Sequence, residues 1–368
     1  MKRLINKTTA VLILLLTHTM LFGQQRPELS IGDPIPALSY SQWVKGTPQD
    51  KLSGDKIYVL EFWATWCIPC IAAMPHISDL ADQYKGKVKV IGVNILERIG
   101  DQAYSGITPK VKEFVQKNQD RMRFDVIVDD DQRTMHNKWL TKAGISGIPA
   151  TFVVKNEQIL WIGHPNFVSS VLKEILEGKY DIQSRKKEYE KQQIASAKGS
   201  SIFSKNMGRV DSAITAKRPE EAINLLDSIL KVSPSGSYAY RQRKMQILVA
   251  FNQEASINYL KEMAEREPKV AAALACYIAS QENVNHKINI LAVDIIEKHG
   301  QKNTFTLDAL ALLQSKIGRY VDAVKNQQEV LGLLIEAQKK TPDLISKEAI
   351  DDSRKKVDKY RLLSEKMN

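Results

Sequence analysis

The sequence predicts two domains of different class. A mixed α/β domain spans 28–180 and an all-α domain spans 206–368, with a linker or exposed helix over 181–205. Two observations predict the first domain: strand-like apolar runs alternate with helical patterns from Ile57 onward, and two further strands close it as a hairpin around Asn156-Glu157. Alternation of this kind implies a parallel portion of sheet, and the hairpin makes the sheet mixed. The second domain is predicted by the lack of any strand-like run beyond about residue 206, where only helical periodicity remains.

The chain opens on Met1-Lys2-Arg3 and Lys7, then an uncharged run from Ala10 to Phe22 and Gly23-Gln24-Gln25. A basic flank, a short apolar core and a small residue before a polar stretch read as a signal peptide over 1–23, which places the mature chain in the periplasm. The run is short for a spanning helix, and Leu21 is not the small residue usual two positions before a cut. An uncleaved inner-membrane anchor is therefore the alternative. No cysteine follows the run, so a lipoprotein anchor is not supported.

After the extended lead Gly32-Asp33-Pro34-Ile35-Pro36, Ile57–Trp63 reads as a buried strand, Ile68–Tyr84 as a helix and Val88–Ile95 as a second strand. Val111–Gln119 reads as a helix, Phe124–Val128 as a strand and Arg133–Leu140 as a helix. Thr151–Val154 and Ile159–Ile162 make the hairpin, and Phe167–Glu177 is a closing helix. Charged and then small polar residues fill 181–205. Beyond them, Ala222-Ile223-Asn224, Ser256-Ile257-Asn258 and Lys287-Ile288-Asn289 echo one another, and Tyr320-Val321-Asp322-Ala323-Val324 supplies a fourth register. Pro234 and Pro268 close their segments at one offset. With Ile223, Ile257, Ile288 and Val324 as equivalents, the steps are 34, 31 and 36 residues. That spacing resembles tetratricopeptide-like helical hairpins, whose concave face binds another chain; an irregular helical bundle is the alternative.

The net charge of +11 comes from 53 Lys and Arg against 42 Asp and Glu, spread along the chain with no aromatic-interleaved basic block. We read it as a solvated surface with no nucleic-acid partner, acidic-membrane binding being a minor alternative. Three cysteines do not make a disulfide-stapled scaffold. Cys276 lies in an apolar helical stretch and reads as an inert buried thiol, with an intermolecular bridge as the alternative.

The chemistry concentrates in Trp66-Cys67-Ile68-Pro69-Cys70, at a strand-to-helix junction. A cysteine at a helix N-terminus has backbone N–H groups and the helix dipole to stabilise its thiolate, the attacking species in thiol–disulfide exchange. No second Cys/His pair stands at a zinc-site spacing, so no metal and no cofactor beyond a Cys67–Cys70 disulfide is expected. A static disulfide closing so short a loop gains little unfolded-state entropy and is the weaker reading. No Pro-x-x-x-Thr/Ser-x-x-Cys precedes either cysteine, which disfavours a peroxiredoxin.

Over residues 30–178 the sequence resembles the thioredoxin fold, and within it the TlpA/ResA-like exported thiol–disulfide oxidoreductases. The resemblance rests on Glu61-Phe62-Trp63-Ala64-Thr65-Trp66-Cys67-Ile68-Pro69-Cys70, on Pro75, and on Gly144-Ile145-Ser146-Gly147-Ile148-Pro149-Ala150-Thr151-Phe152. It implies a nucleophilic Cys67, a resolving Cys70 and a cis bond at Pro149. It also implies a substrate-facing surface of Trp66, Ile148 and Pro149, in which Ile148 offers its main chain to an extended segment. Glu61, a charge inside an apolar strand, matches the buried carboxylate of thioredoxins and would relay a proton to or from Cys70. The resemblance further places an added helix and strand segment between Ile95 and Phe124. Two departures weaken an assignment to cytochrome c maturation: Ala150 follows the proline where an acidic residue is typical, and Ala73 replaces a functional glutamate. The expected partners are disulfide-containing exported proteins, an electron donor and a protein on the helical domain. The expected direction is reduction, because Ile68-Pro69 lacks the histidine of strongly oxidising relatives. A helical-repeat binding protein using the α/β domain as a platform is the rival reading.

Overall fold

The computed structural model describes residues 26–97, 104–232, 237–340 and 345–367. The signal peptide expected over 1–23, Pro234 and part of the expected added segment lie outside the described residues. The chain divides into two compact units, 1–201 and 202–368.

The first unit is a six-stranded mixed sheet: β1 (Gln42–Lys45), β2 (Ile57–Trp63), β3 (Val88–Asn94), β4 (Asp125–Val128), β5 (Ala150–Lys155) and β6 (Gln158–Gly163), in the order β1-β4-β3-β2-β5-β6. β3 runs parallel to both β2 and β4, whereas β5 is antiparallel to β2 and β6, and β1 to β4. All seven residues of β2 are buried, as befits an apolar strand with neighbours on both edges and cover on both faces. The turn between β5 and β6 is the expected Asn156-Glu157, both residues with positive φ, the geometry of the two-residue hairpin turn that matches strand twist.

Helices α1 (Ile68–Gln83), α2 (Tyr104–Lys117) and α3 (Val168–Leu176) belong to this unit. Four details differ from the sequence expectations. β1 was not foreseen, since only its Trp43 is buried and its pairing with β4 supplies the order. α2 begins seven residues earlier than expected and carries Pro109 within it. The helix expected over 133–140 is a π-helix at His136–Thr141, preceded by buried Asp129, whose carboxylate accepts the N–H groups of Asp130, Met135 and His136. Of the linker or exposed helix expected over 181–205, it is the helix that forms, and it runs further than expected: α4 (Ile182–Thr215) continues past 205, and the division between units falls inside it.

The second unit continues with α5 (Pro219–Val232), α6 (Ser237–Phe251), α7 (Gln253–Arg266), α8 (Pro268–Ala279), α9 (His286–His299), α10 (Thr304–Lys316), α11 (Tyr320–Lys340) and α12 (Lys347–Glu365). Asn252, Asn285, Asn303 and Ser346 cap α7, α9, α10 and α12 by accepting backbone N–H groups of the first turn. Pro268 opens α8 directly after α7 ends, where its missing N–H leaves no bond unmade. Ile223, Ile257, Ile288 and Val324 all fall in the first helix of a pair, as a hairpin repeat requires. The fully buried small residue stands one position earlier, at Ala222, Ser256 and Ala323, while in α9 Ile288 itself takes that place. Aligning on burial spaces the four at 34, 32 and 35 residues, more evenly than the sequence alignment. Cys276 is a free, buried thiol within the core formed by α6 to α10.

Candidate active site

The end of β2 delivers Ala64-Thr65-Trp66 to the start of α1, and Cys67 is the residue that caps this helix. Its Sγ accepts the Cys70 backbone N–H at 3.3 Å. Pro69 occupies the first turn, where no intrahelical N–H is needed. Cys67 and Cys70 are joined as a disulfide with Cα atoms 5.2 Å apart. Both cysteines are almost fully covered, but the flanking Trp66 and Ile68 are 40% and 59% exposed, which leaves an apolar rim around the bond.

The Ile148–Pro149 peptide is cis, and the Ile148 carbonyl oxygen lies 3.8 Å from the Cys67 sulfur. Residues 81 positions apart in the chain thus meet because β5, which starts at Ala150, pairs with β2 in the register Phe62 opposite Ala150 and Glu61 opposite Thr151. Ala150 and Ala73 are both buried, so neither offers a polar group to this surface.

Glu61 lies opposite Gly92 on β3 and Thr151 on β5 and is buried. Thr151 Oγ1 donates to Glu61 Oε2 at 2.5 Å, and among the described residues Oε1 has no partner. Burial pushes this carboxyl up to about 8, with the threonine hydrogen bond acting against the shift. Gly92 has no alternative here, since a Cβ would stand 2.8 Å from the Phe124 ring and 3.1 Å from Trp63 Nε1.

Sequence reasoning missed Glu97, which reads as an ordinary loop acid. It is buried, and its carboxylate accepts from the Thr65 N–H at 2.6 Å, Thr65 Oγ1 at 2.7 Å, Asn94 Nδ2 at 2.8 Å and Lys110 Nζ at 3.3 Å. The preceding Leu96 has φ +55°, and its carbonyl accepts the Trp66 indole N–H at 2.8 Å. The bend after β3 therefore holds the two residues that lead into Cys67. Its signal in the sequence is faint: an acid two residues beyond an apolar strand, with a hydroxyl residue ahead of the cysteine. His76, the histidine nearest the cysteines in sequence, bonds Ser169 Oγ at 3.0 Å. No grouping of His, Cys, Asp or Glu able to hold a metal occurs among the described residues.

The arrangement can make and break one disulfide: Cys67 caps a helix N-terminus, Cys70 lies one turn on, and the buried acid Glu61 stands on the strand that leads to them. A family model described as AhpC/TSA matches residues 31–161. Protein FixW of Rhizobium leguminosarum is 25% identical over 223 residues, 58% of this chain and 96% of that one. Thiol-disulfide oxidoreductase ResA of Bacillus thuringiensis is 32% identical over 106 residues, 29% of this chain and 52% of that one. Thioredoxin 1 of Nostoc is 44% identical over 46 residues, 12% of this chain and 43% of that one. The chain thus spans nearly all of FixW and about half the length of the other two relatives. Among solved structures, a thiol-disulfide isomerase from Corynebacterium glutamicum aligns at 21% identity over 41% of this chain and 96% of its own, TM-score 0.30. StoA from Bacillus subtilis aligns at 19% identity over 38% and 98%, TM-score 0.30.

Proposed function

We propose, from the premise that residues 31–161 form a domain of the thioredoxin-like thiol–disulfide oxidoreductase family, that this chain reduces disulfides of exported proteins. The observation that carries the reading is the Cys67–Cys70 disulfide at the head of α1, facing the Ile148 carbonyl, with Glu61 buried behind it. In the reduced protein the Cys67 thiolate attacks one sulfur of a substrate disulfide. The other substrate sulfur leaves as a thiolate and takes a proton. Cys70 then loses its proton toward Glu61, attacks Cys67 Sγ and releases the second substrate thiol, so the substrate gains two electrons and Cys67–Cys70 is oxidised. A second thiol or electron donor, outside this chain, must return two electrons for the next turnover. Ile148 offers its carbonyl to an extended substrate strand, a main-chain mode tolerant of side-chain sequence. Trp66 and Ile68 cover the flanking residues.

The reductive direction is supported by Ile68-Pro69 between the cysteines, and the periplasmic location by the leader pattern over 1–23. No described helix is long and apolar enough to cross a membrane. The helical unit is the part that would choose the client.

Replacing Cys70 with serine leaves Cys67 unable to resolve its mixed disulfide. In the producing cells Cys70→Ser should accumulate disulfide-linked exported proteins on Cys67, and purified wild type should reduce insulin. No captured protein together with no insulin reduction would overturn the reading and favour the platform alternative. Capture of cytoplasmic proteins alone would overturn the export.

A further inference from the structure

The loop that carries Ile148 is held at its base by an element outside the family match. We propose that the first half of α4 is a positioning element of the active site, with Tyr189 setting where the Ile148 main chain stands for the substrate. The proposal deepens the reading above and rests on it.

Tyr189 is buried, and its hydroxyl donates to the Ala143 carbonyl at 2.7 Å. One turn further along the same helix, Gln193 Oε1 lies 3.0 Å from where a Cβ on Gly144 would be, and Gly144 has φ +73°, a conformation that L side chains rarely adopt. Ala143 and Gly144 open the segment Gly144–Ile148, which contains a second glycine, Gly147, and ends at the cis bond beside Cys67. Upstream, the Lys142 carbonyl accepts the Leu29 N–H at 2.9 Å, and at the start of the segment itself the Ile145 N–H donates back to Leu140 O at 2.9 Å. Downstream, the chain is fixed by β5 pairing with β2. Between these two anchors, Ser146 and Gly147 are exposed. The position of Ile148 thus depends on how firmly Ala143 and Gly144 are held, and the helix side of that hold is Tyr189 and Gln193.

Other contacts pin the same helix elsewhere. Arg185 donates two bonds to Glu174 at 3.0 Å, Lys186 pairs with Asp33 at 3.4 Å, and just before the helix Tyr180 OH donates to the Leu160 carbonyl at 2.6 Å. These make the helix a stable support without touching the loop, and they separate a general loosening from a loop-specific one.

The test uses full-length protein. Pre-reduced protein is mixed with a peptide dimer joined by one disulfide, and its oxidation is followed through the change in tryptophan fluorescence. In parallel, backbone hydrogen exchange is read over 144–149. For Tyr189→Phe the half-saturating peptide concentration should rise about fivefold, the equivalent of about 1 kcal/mol, with exchange over 144–149 faster by a similar factor. The limiting rate should be unchanged, as should reduction of the Cys67–Cys70 disulfide by dithiothreitol, a small dithiol that needs no main-chain pairing. Tyr180→Phe should leave half-saturation unchanged. Unchanged exchange in Tyr189→Phe, faster exchange with unchanged half-saturation, or an equal rise in Tyr180→Phe would each overturn the proposal. A wild type that reacts with dithiothreitol but not with the peptide disulfide would instead overturn the function proposed above, and this inference with it.

Discussion

Each unit buries a polar side chain with one unpartnered oxygen, but only the first unit's can ionise. In the first, Glu61 is a carboxyl enclosed by three strands with a single hydrogen bond, from Thr151, and one oxygen without a partner among the described residues. In the second, the fully buried Gln327 also keeps one oxygen, Oε1, without a partner among the described residues, but it is a neutral amide whose nitrogen donates to Asp308 at 3.0 Å and to Ser353 at 3.1 Å, linking α10, α11 and α12. A neutral amide bears only the cost of its unpartnered oxygen, whatever the pH. A lone carboxyl destabilises its own fold when ionised, a cost that grows with pH. The difference makes the stability of the first unit pH-dependent at a point where that of the second is not.

The sharpest way to break that comparison is Glu61→Gln. The carboxyl of Glu61 has an ordinary value of 4.5 and stands at about 8 in the folded chain, so the folded state holds the proton more tightly. Below pH 4.5 the group is neutral in both states and carries no charge penalty. As pH rises through 8 this stability is lost, on the order of 5 kcal/mol for a shift of this size. Denaturant unfolding of the first unit should therefore show wild type weakening from pH 5 to 9 and Glu61→Gln following a flatter curve. Identical curves would mean that the buried carboxyl carries no linked proton, and the contrast with Gln327 would disappear.

A smaller effect probes the helical side. Leu313 is fully buried between helices, and Leu313→Ala should destabilise that unit by about 3 kcal/mol. Reduction of the Cys67–Cys70 disulfide by dithiothreitol should not change. A parallel loss of reactivity would show the units to be one energetic body. The smallest effect is Asn303→Ala, which removes the side-chain acceptor of the Thr306 N–H at the head of α10 and should cost about 1 kcal/mol. In a stack of helical hairpins the loss should concentrate on α10 and its neighbours, visible as faster hydrogen exchange there first.

Much of the site was legible because its signals are local. Cys67 and Cys70 share one helical turn, the Pro149 motif announces its own bend, and a glutamate between Leu60 and Phe62 is conspicuous in an apolar strand. What stayed hidden depends on partners distant in sequence. Glu97 gains its role only when Thr65, 32 residues earlier, folds back onto it. β1 is strand-like only because β4 lies alongside, and the π-helix depends on Asp129 collecting N–H groups ahead of it. The helix through 182–215 was obscured by Gly199-Ser200-Ser201, residues of low helix propensity that a loop would also carry. In the repeat, sequence similarity found the right helices, but the buried position moved by one residue in α9.

For a chain that exchanges disulfides as proposed, a third thiol is a hazard, because it can attack the working disulfide or capture a client. Cys276 is enclosed in the helical core, and burial pushes its thiol up, which keeps it protonated. Folded copies therefore keep a single working pair, immune to self-scrambling. An unfolding insult that uncovers Cys276 would free a third thiol to exchange with the Cys67–Cys70 pair.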